Sequence, residues 1–326
     1  MPSTNGSDSP RGLVDWRAAG LRLHTLGFSF RSRFGHRVRK VSVDGGFGCP
    51  NVDGTVGRDG CIFCNIRSYS PSRRLGIRSI TAQIDEGIRR IRCRHRVDHF
   101  VAYFQPATGT YAPVPRLEAL YEEAIAHPNV VGLAIGTRPD CVPDNVLDLL
   151  AGLSRRTWLS VEYGLQTIHD RSLDWIGRGH HHDAFLDAVG RSRRRGLAVG
   201  AHVILGLPGE SRDDMLATAR ELARLEIDSV KLHNLYAVRQ TRLAEAVAGG
   251  GVVLPGLEEY VGHVVAFLEQ LPPGCVVDRL SGEAPAEFLV APDWCRDKSA
   301  VRSAILAELQ RRDTWQGRMY RPGNPP

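Results

Sequence analysis

The sequence predicts an α/β fold: a partial (β/α)6 TIM-like barrel followed by a small C-terminal α/β extension. Short β-branched runs alternate with amphipathic helical stretches through most of the 326 residues, the pattern of β/α units stacked around a parallel sheet. The unit recurs six times. Each run ends in polar, glycine-bearing residues, as expected where the functional loops of a barrel collect. Strands are expected at 39–44, 99–105, 130–136, 158–165, 198–205 and 229–235. Helices are expected near 80–93, 115–126, 143–153, 181–195 and 211–225. Asp144 supplies a first-turn acid after Pro143, and Ser211 an N-cap before Arg212-Asp213-Asp214.

Beyond Gly249-Gly250-Gly251 the pattern changes. Leu257, Tyr260, Val261, Val264, Val265, Leu268 and Leu271 recur at helical spacing, Pro272-Pro273-Gly274 stops that helix, and 275–280 reads as another strand. This tail is expected to pack on the open edge of the barrel and cover its unpaired backbone groups. The expected divisions are a basic N-terminal arm over 1–32, the partial barrel over 33–250 and the extension over 251–326, with the end frayed from Tyr320.

Composition narrows the class. Hydrophobic residues make up 42% and charged residues 24%, a soluble globular mix. No apolar run approaches the ~18 residues of a membrane span, and residues 1–10 do not read as a signal peptide. Seven cysteines without a secretory signal point to a reducing compartment, the cytoplasm, and to thiolates used as ligands. The net charge of +6 sits in the first 40 residues, where eight basic side chains face Asp8 and Asp15; beyond them 34 bases balance 34 acids. Such an arm is either a handle for a polyanion, RNA or DNA, or the solvated face of a helix in an arginine-rich chain. A presequence is discounted because the arm runs directly into a strand.

The informative segment follows the first strand. Cys49, Cys61 and Cys64 fall in a C-x11-C-x2-C spacing on one loop, with Gly54, Gly57 and Gly60 letting its backbone wrap a bulky inorganic core. A four-iron cluster wants four ligands and this loop offers three; Cys93, Cys141, Cys275 and Cys295 are scattered. One iron is then open to S-adenosylmethionine (SAM), whose amino and carboxylate groups chelate it, and the cluster supplies the electron that splits the carbon–sulfur bond. Phe47 and Phe63 keep the site dry. The rival is structural zinc with His36 as fourth ligand; only one C-x2-C knuckle is present.

Arg33-Phe34-Gly35-His36-Arg37-Val38-Arg39-Lys40, Asp44-Gly45-Gly46-Phe47, the three-cysteine loop, Gly136-Thr137-Arg138-Pro139-Asp140-Cys141, Gly164-Leu165-Gln166-Thr167 and Gly206-Leu207-Pro208-Gly209-Glu210 together resemble one family. It is the bacterial radical SAM proteins related to the catalytic subunit of the elongator complex, and the likeness runs over roughly 33–295. Gly48, Gly177 and Asn234 depart from it, standing where a hydroxyl residue, Asn and Pro are usual. The resemblance implies a barrel of radical SAM type, one [4Fe-4S] cluster on three cysteines, SAM, and an electron donor such as flavodoxin or ferredoxin. It implies tRNA as substrate, with chemistry at the C5 side chain of a wobble uridine. The chain's length leaves no room for an acetyltransferase domain.

The strand ends are expected to surround SAM. Gln105, Thr108 and Thr110 are placed for its amino group, unless Thr108-Gly109-Thr110 is an ordinary turn. Glu162 and Gln166 flank the fourth strand's end, where a ribose hydroxyl needs a partner; Glu162 is either that or a partner of Arg138. The resemblance favours Gln166 for the ribose and His202 and Gly206 for the adenine side, with a core histidine as the alternative for His202. Arg138 is assigned to SAM or substrate and Asp140 to a loop lock. His180, Lys231 and His233 are cationic candidates for an anionic substrate such as an RNA phosphate. Two further readings stay open: a radical SAM enzyme acting on a small molecule such as a porphyrinogen, and a non-enzymatic zinc-stabilised RNA-binding module.

Overall fold

A computed structural model describes residues 15–70, 73–74, 76 and 79–322. Its spine is the expected alternation: β1 (Val38–Val43), β2 (His99–Phe104), β3 (Val130–Thr137), β4 (Trp158–Gln166), β5 (Ala198–Leu205) and β6 (Ser229–Asn234). Each pairs in parallel with the next. The connecting helices are α1 (Leu26–Phe34) and α2 (Ile66–Tyr69) around β1, then α3 (Ile80–Arg92), α4 (Val114–Ile125), α5 (Asp144–Ser154), α6 (Asp170–Trp175), α7 (His182–Arg194) and α8 (Arg212–Arg224). Ser211 caps α8 as expected, in a reciprocal capping box with Asp214. Apolar faces of these helices bury Ile84, Leu117, Leu147, Phe185 and Leu222 against the outside of the sheet.

The C-terminal segment does more than cover an edge. After α9 (Arg242–Ala248) and α10 (Leu257–Gln270), β8 (Val276–Arg279) pairs in parallel with β6 and becomes a seventh strand. A two-stranded ribbon of β7 (Ala237–Val238) and β9 (Leu289–Ala291), and α11 (Lys298–Arg311), were not anticipated. Laid flat, seven strands would separate the first from the last by roughly 29 Å. Yet Lys40 Nζ on β1 ion-pairs with Asp278 on β8, and reaches Glu162 Oε1 on the central β4 at 2.5 Å. The sheet is therefore curled into a half-barrel whose edges meet through side chains.

Residues 1–14 of the basic arm lie outside the described residues, as do 323–326 of the terminus. From Asp15 onward the arm is docked. Trp16 Nε1 donates to the Pro273 carbonyl (2.9 Å), His24 N to Gln316 Oε1 (2.9 Å), and Thr25 bridges to Val277 on β8. Helix α1 then closes the bottom of the half-barrel: Phe30 packs with Val38, Val101, Tyr103 and Ala134, edge-on to Trp158 at 5.2 Å. Its arginines point outward at the end of the barrel opposite the cysteine loop. Among the described residues no helix is long and apolar enough to cross a membrane.

The seam makes a testable statement about stability. Lys40 and Lys231 face Glu162 and Asp278, two cations against two carboxylates. Lys40→Met leaves an excess buried carboxylate and is expected to cost about 3–5 kcal/mol in denaturant unfolding. Lys40→Met with Asp278→Leu restores the balance and is expected to recover much of that loss. Both carboxylates are held below their usual range by the two lysines, against burial, which raises them. Their contribution is thus present above the ordinary carboxylate range and lost as pH falls through the depressed values. The gap between wild type and the single variant should shrink on acidification.

Candidate active site

The cysteine loop is held by its own polar residues. Buried Asp44, at the end of β1, accepts from Gly46 N (2.8 Å), Ser70 Oγ (2.9 Å) and Arg73 Nε (2.7 Å). Arg73 also donates to the Phe47 carbonyl at 2.6 Å, and Gln83 on α3 grips both backbone groups of Asp44. Asn51 ties the far side of the loop to the Gly177 carbonyl (2.6 Å), and Ile62 N donates to Ile176 O (2.9 Å). These anchors place Cys49, Cys61 and Cys64 on one wall of a cavity of about 960 Å³ at the C-terminal ends of the strands. Asn51 Nδ2 and Arg178 Nη1 point at Cys61 Sγ from 3.5 and 3.7 Å, and Tyr69 OH lies 3.7 Å from Cys64 Sγ. Cys64 opens into the cavity; its protein surroundings, then the neighbouring thiols Cys61 and Cys49, push its pKa up to about 12.

Gln105, Arg138, Gln166, His202, Lys231 and His233 line the same cavity. The backbone there is strained: Ala107, Gln166 and Gln240, at φ of 61°, 74° and 62°, all border it. His202 Nε2 lies 2.8 Å from Glu162 Oε2; burial, then Lys231, lowers its pKa and keeps the ring neutral.

Several expectations are corrected by geometry. Glu162 does not line the cavity; it lies beneath it, 2% exposed, paired with Lys40, Lys231 and His202 rather than with Arg138 or a ribose. Arg138 borders the cavity, but its fork is closed on Asp140 (2.9 and 2.7 Å) and its third donor on the Arg178 carbonyl (2.8 Å). The loop lock thus includes both residues. Thr110 Oγ1 donates to the Cys141 carbonyl and meets Thr137 Oγ1, both at 2.6 Å, which fastens Thr110 off the cavity, while Thr108 lines it with Gln105. Gly206 lies off the cavity; at φ 80° it lets the chain pass Pro255, which a Cβ would overlap. His180 is off the cavity too, and burial, with Arg178 and Arg138 beside it, lowers its pKa to about 3. His233 is likewise held well below 6.5 by burial and by Arg279. Neither imidazole is the cation that a phosphate would seek, and Lys231 is neutralised by Glu162 (2.6 Å) and Asp278 (3.3 Å).

Sequence reasoning missed Lys40, Asp278 and Asn51, and read Arg178 as a cation on this face without its contact to Cys61. Lys40 was counted with the arm, although its place in a strand signalled an inward side chain; for Asp278 no local signal exists.

The cysteine spacing allows two metal centres, a zinc ion or an iron–sulfur cluster. Among the described residues no three His, Cys, Asp or Glu side chains converge closely enough for one metal ion. His36 stacks on His99 (3.8 Å between ring centres) at the starts of β1 and β2, a strand's length from the cysteines, so it cannot complete a zinc site. Thiols spread along one wall, with N–H donors aimed at Cys61 sulfur and a buried Arg178 Nε lacking any partner, fit a polynuclear cluster with sulfide to hydrogen-bond.

The chain matches the radical SAM superfamily over residues 54–222 and the radical SAM C-terminal domain over residues 227–311. It is 38% identical over 299 residues to the protein YtqA of Bacillus subtilis (strain 168), covering 92% of this chain and 93% of that one. It is 27% identical over 183 residues to the tRNA uridine(34) acetyltransferase of Methanocaldococcus jannaschii, 55% of this chain and 32% of that enzyme. Among solved structures, Methanocaldococcus infernus Elp3 with an N-terminal deletion superposes with a TM-score of 0.62 at 18% identity, over 86% of this chain and 64% of that one, a likeness of fold alone. The superfamily and C-terminal-domain matches together run through most of the strands and loops that enclose the cavity, and on that ground the chain belongs to the radical SAM superfamily of enzymes.

Proposed function

We propose that Cys49, Cys61 and Cys64 hold the [4Fe-4S] cluster that the family implies, and that the enzyme uses SAM to modify a tRNA at the C5 side chain of wobble uridine. The observation that carries the reading is that three thiols and the amides of Gln105 and Gln166 face one cavity at the strand ends. When bound, cluster and SAM together supply a 5′-deoxyadenosyl radical that removes a hydrogen atom from the substrate.

The chain's residues orient and shield that chemistry. Three ligands leave one iron for SAM. Asn51 and Arg178 donate to the Cys61 sulfur and fix where it points. Buried Phe47 backs the ligand loop against Phe104. Gln105 and Gln166 offer uncharged amides to SAM, and the left-handed backbone of Gln166 fixes where its amide points. His202 donates Nε2–H to Glu162, which leaves Nδ1 as an acceptor for an amino group on the adenine side. The likeness to a tRNA uridine(34) acetyltransferase supports tRNA as the substrate class. A flavodoxin or ferredoxin in the cytoplasm would deliver the electron.

Replacing any one of Cys49, Cys61 or Cys64 by Ala should abolish release of 5′-deoxyadenosine and reduce iron from about four per chain after anaerobic reconstitution; Cys93→Ala and Cys275→Ala should change neither. Equal loss at Cys275 would mean that the ligands are misassigned. Gly206→Ala should lower unfolding stability by about 1–3 kcal/mol while leaving SAM affinity in equilibrium dialysis within about twofold, because its constraint is Pro255. Comparing tRNA nucleosides by mass spectrometry in cells with and without the gene should show a change confined to the wobble uridine. An unchanged nucleoside profile with intact SAM cleavage would point to a small-molecule substrate.

A further inference from the structure

The lip of the cavity beside Cys61 and Cys64 is stitched from two segments far apart in the chain. Arg242 Nη2 donates to the Gly60 carbonyl (2.7 Å), Leu243 N to Ile62 O (3.0 Å) and Asn65 Nδ2 to Arg239 O (2.9 Å). These bonds set Arg67, Arg239 and Arg242 along one rim. All three are exposed, and among the described residues none has a carboxylate within ion-pair distance. Their neighbours differ: Arg73 is spent on Asp44, Arg74 on Glu287 and Arg279 on Glu283. Between the rim arginines sits Gln240, exposed and held at φ 62°, a strain that a non-glycine residue carries where the surrounding structure fixes it for use. On the cysteine loop Val52 and Val56 are 56% and 48% exposed, apolar surface of the kind a nucleobase or ribose covers.

Inside, the cavity presents paired charges, neutral rings and one cation, Arg178, turned to Cys61 and the Gly164 carbonyl; at the lip, Arg67, Arg239 and Arg242 outnumber the single unpaired carboxylate described there, Asp59. A polyanion with an uncharged group to insert fits that arrangement. The cavity is recessed behind the rim, so a base must leave its stack to reach the thiol wall, and single-stranded loops offer such bases. We propose that this rim is the entry surface for a single-stranded RNA loop, with Arg67, Arg239 and Arg242 on its phosphates and one base turned into the cavity. The proposal rests on the tRNA reading above and moves the electrostatic handle away from the N-terminal arm. Arg31 and Arg33 of α1 are equally exposed and unpaired, but they lie a strand's length away, roughly 20 Å, at the closed end.

The test is fluorescence anisotropy of a labelled anticodon stem-loop RNA with the anaerobically reconstituted enzyme, across about 50–200 mM salt. The triple variant R67E/R239E/R242E is expected to weaken binding by roughly tenfold or more and to flatten the slope of log affinity against log salt by about 2. The matched variant R31E/R33E is expected to stay within about twofold of wild type. If the triple variant loses iron or unfolds, R67Q and R239Q carry the test singly, each expected to reduce the slope by about 0.7. Salt-dependent binding by wild type that the rim variants leave intact, or that R31E/R33E weakens as much, overturns the rim and leaves the substrate reading standing. No salt-dependent binding by wild type overturns both.

Discussion

The rest of the structure hangs on one buried contact, the ammonium of Lys40 set between Glu162 on the central strand and Asp278 on the last. Six strand spacings separate β1 from β8 along the sheet, and no backbone hydrogen bond joins those edges among the described residues. Inside the curl these edges meet through charge, while outside it Thr25, at the start of α1, bridges to Val277 on β8. Burying such a cluster contributes little net stability, because desolvation consumes most of the Coulombic gain. Its contribution is specificity: only one closure brings two cations onto two carboxylates, and any other leaves them bare at a cost of several kcal/mol. The same cluster is the cavity's floor. Lys231, bonded to Glu162, also donates to Tyr103 OH (2.8 Å) and lies 4.1 Å from that ring's centre, while Glu162 receives His202. Closure and site share their atoms.

The two ends of the half-barrel are finished by different means. At the bottom, α1 and Trp158 fill the interior with apolar rings, and Gln316, fully buried, binds His24, Pro272 and Cys275 backbone groups at once. At the top the centre is the cavity, walled in part by apolar Phe47, Ile204 and Leu235. The loops there are held from behind instead, Asp44 by Arg73 and Gln83, Arg138 by Asp140, Thr110 by Thr137. Each lock satisfies buried polar groups away from the cavity, which leaves the concave face to the thiols and amides. Filling one end lets the other stay hollow.

The periodic part of this design was legible from local pattern. Strands fully buried between helices read as β-branched runs, and their limits in the structure differ from expectation by a residue or so. Cysteine spacing was legible because all three ligands share one loop. Of the two readings of the arm, the helix with one solvated face fits residues 26–34, where Leu26, Phe30 and Phe34, spaced four apart, form the buried face. Helix α11 was missed because only Val301, Ile305 and Leu309 face the core, a stripe too narrow to stand out. The pairing of Glu162 with Lys40 was not legible at all: Lys40 is 122 positions away, the second carboxylate it holds, Asp278, lies beyond the breaker, and pairing across a closed sheet has no local signal.

The electrostatic arrangement explains why so arginine-rich a chain can keep a site of modest charge. Arginines near the cavity are of two kinds. Those on its wall, Arg73 and Arg138, are consumed by carboxylates and carbonyls, and burial keeps His202 and His233 neutral. Those on the lip are free. A charged group entering the interior would meet mostly ions already paired; the exception among the described residues, Arg178, is turned to Cys61 and the Gly164 carbonyl. An uncharged base would lose little and would find a polar atom that has no partner, the His233 Nε2. Such an atom costs about 1–3 kcal/mol while buried and unbonded, a penalty that a ligand with matching donors and acceptors removes. The cavity thus favours a neutral polar insert on a charged strand, phosphates outside and a base within.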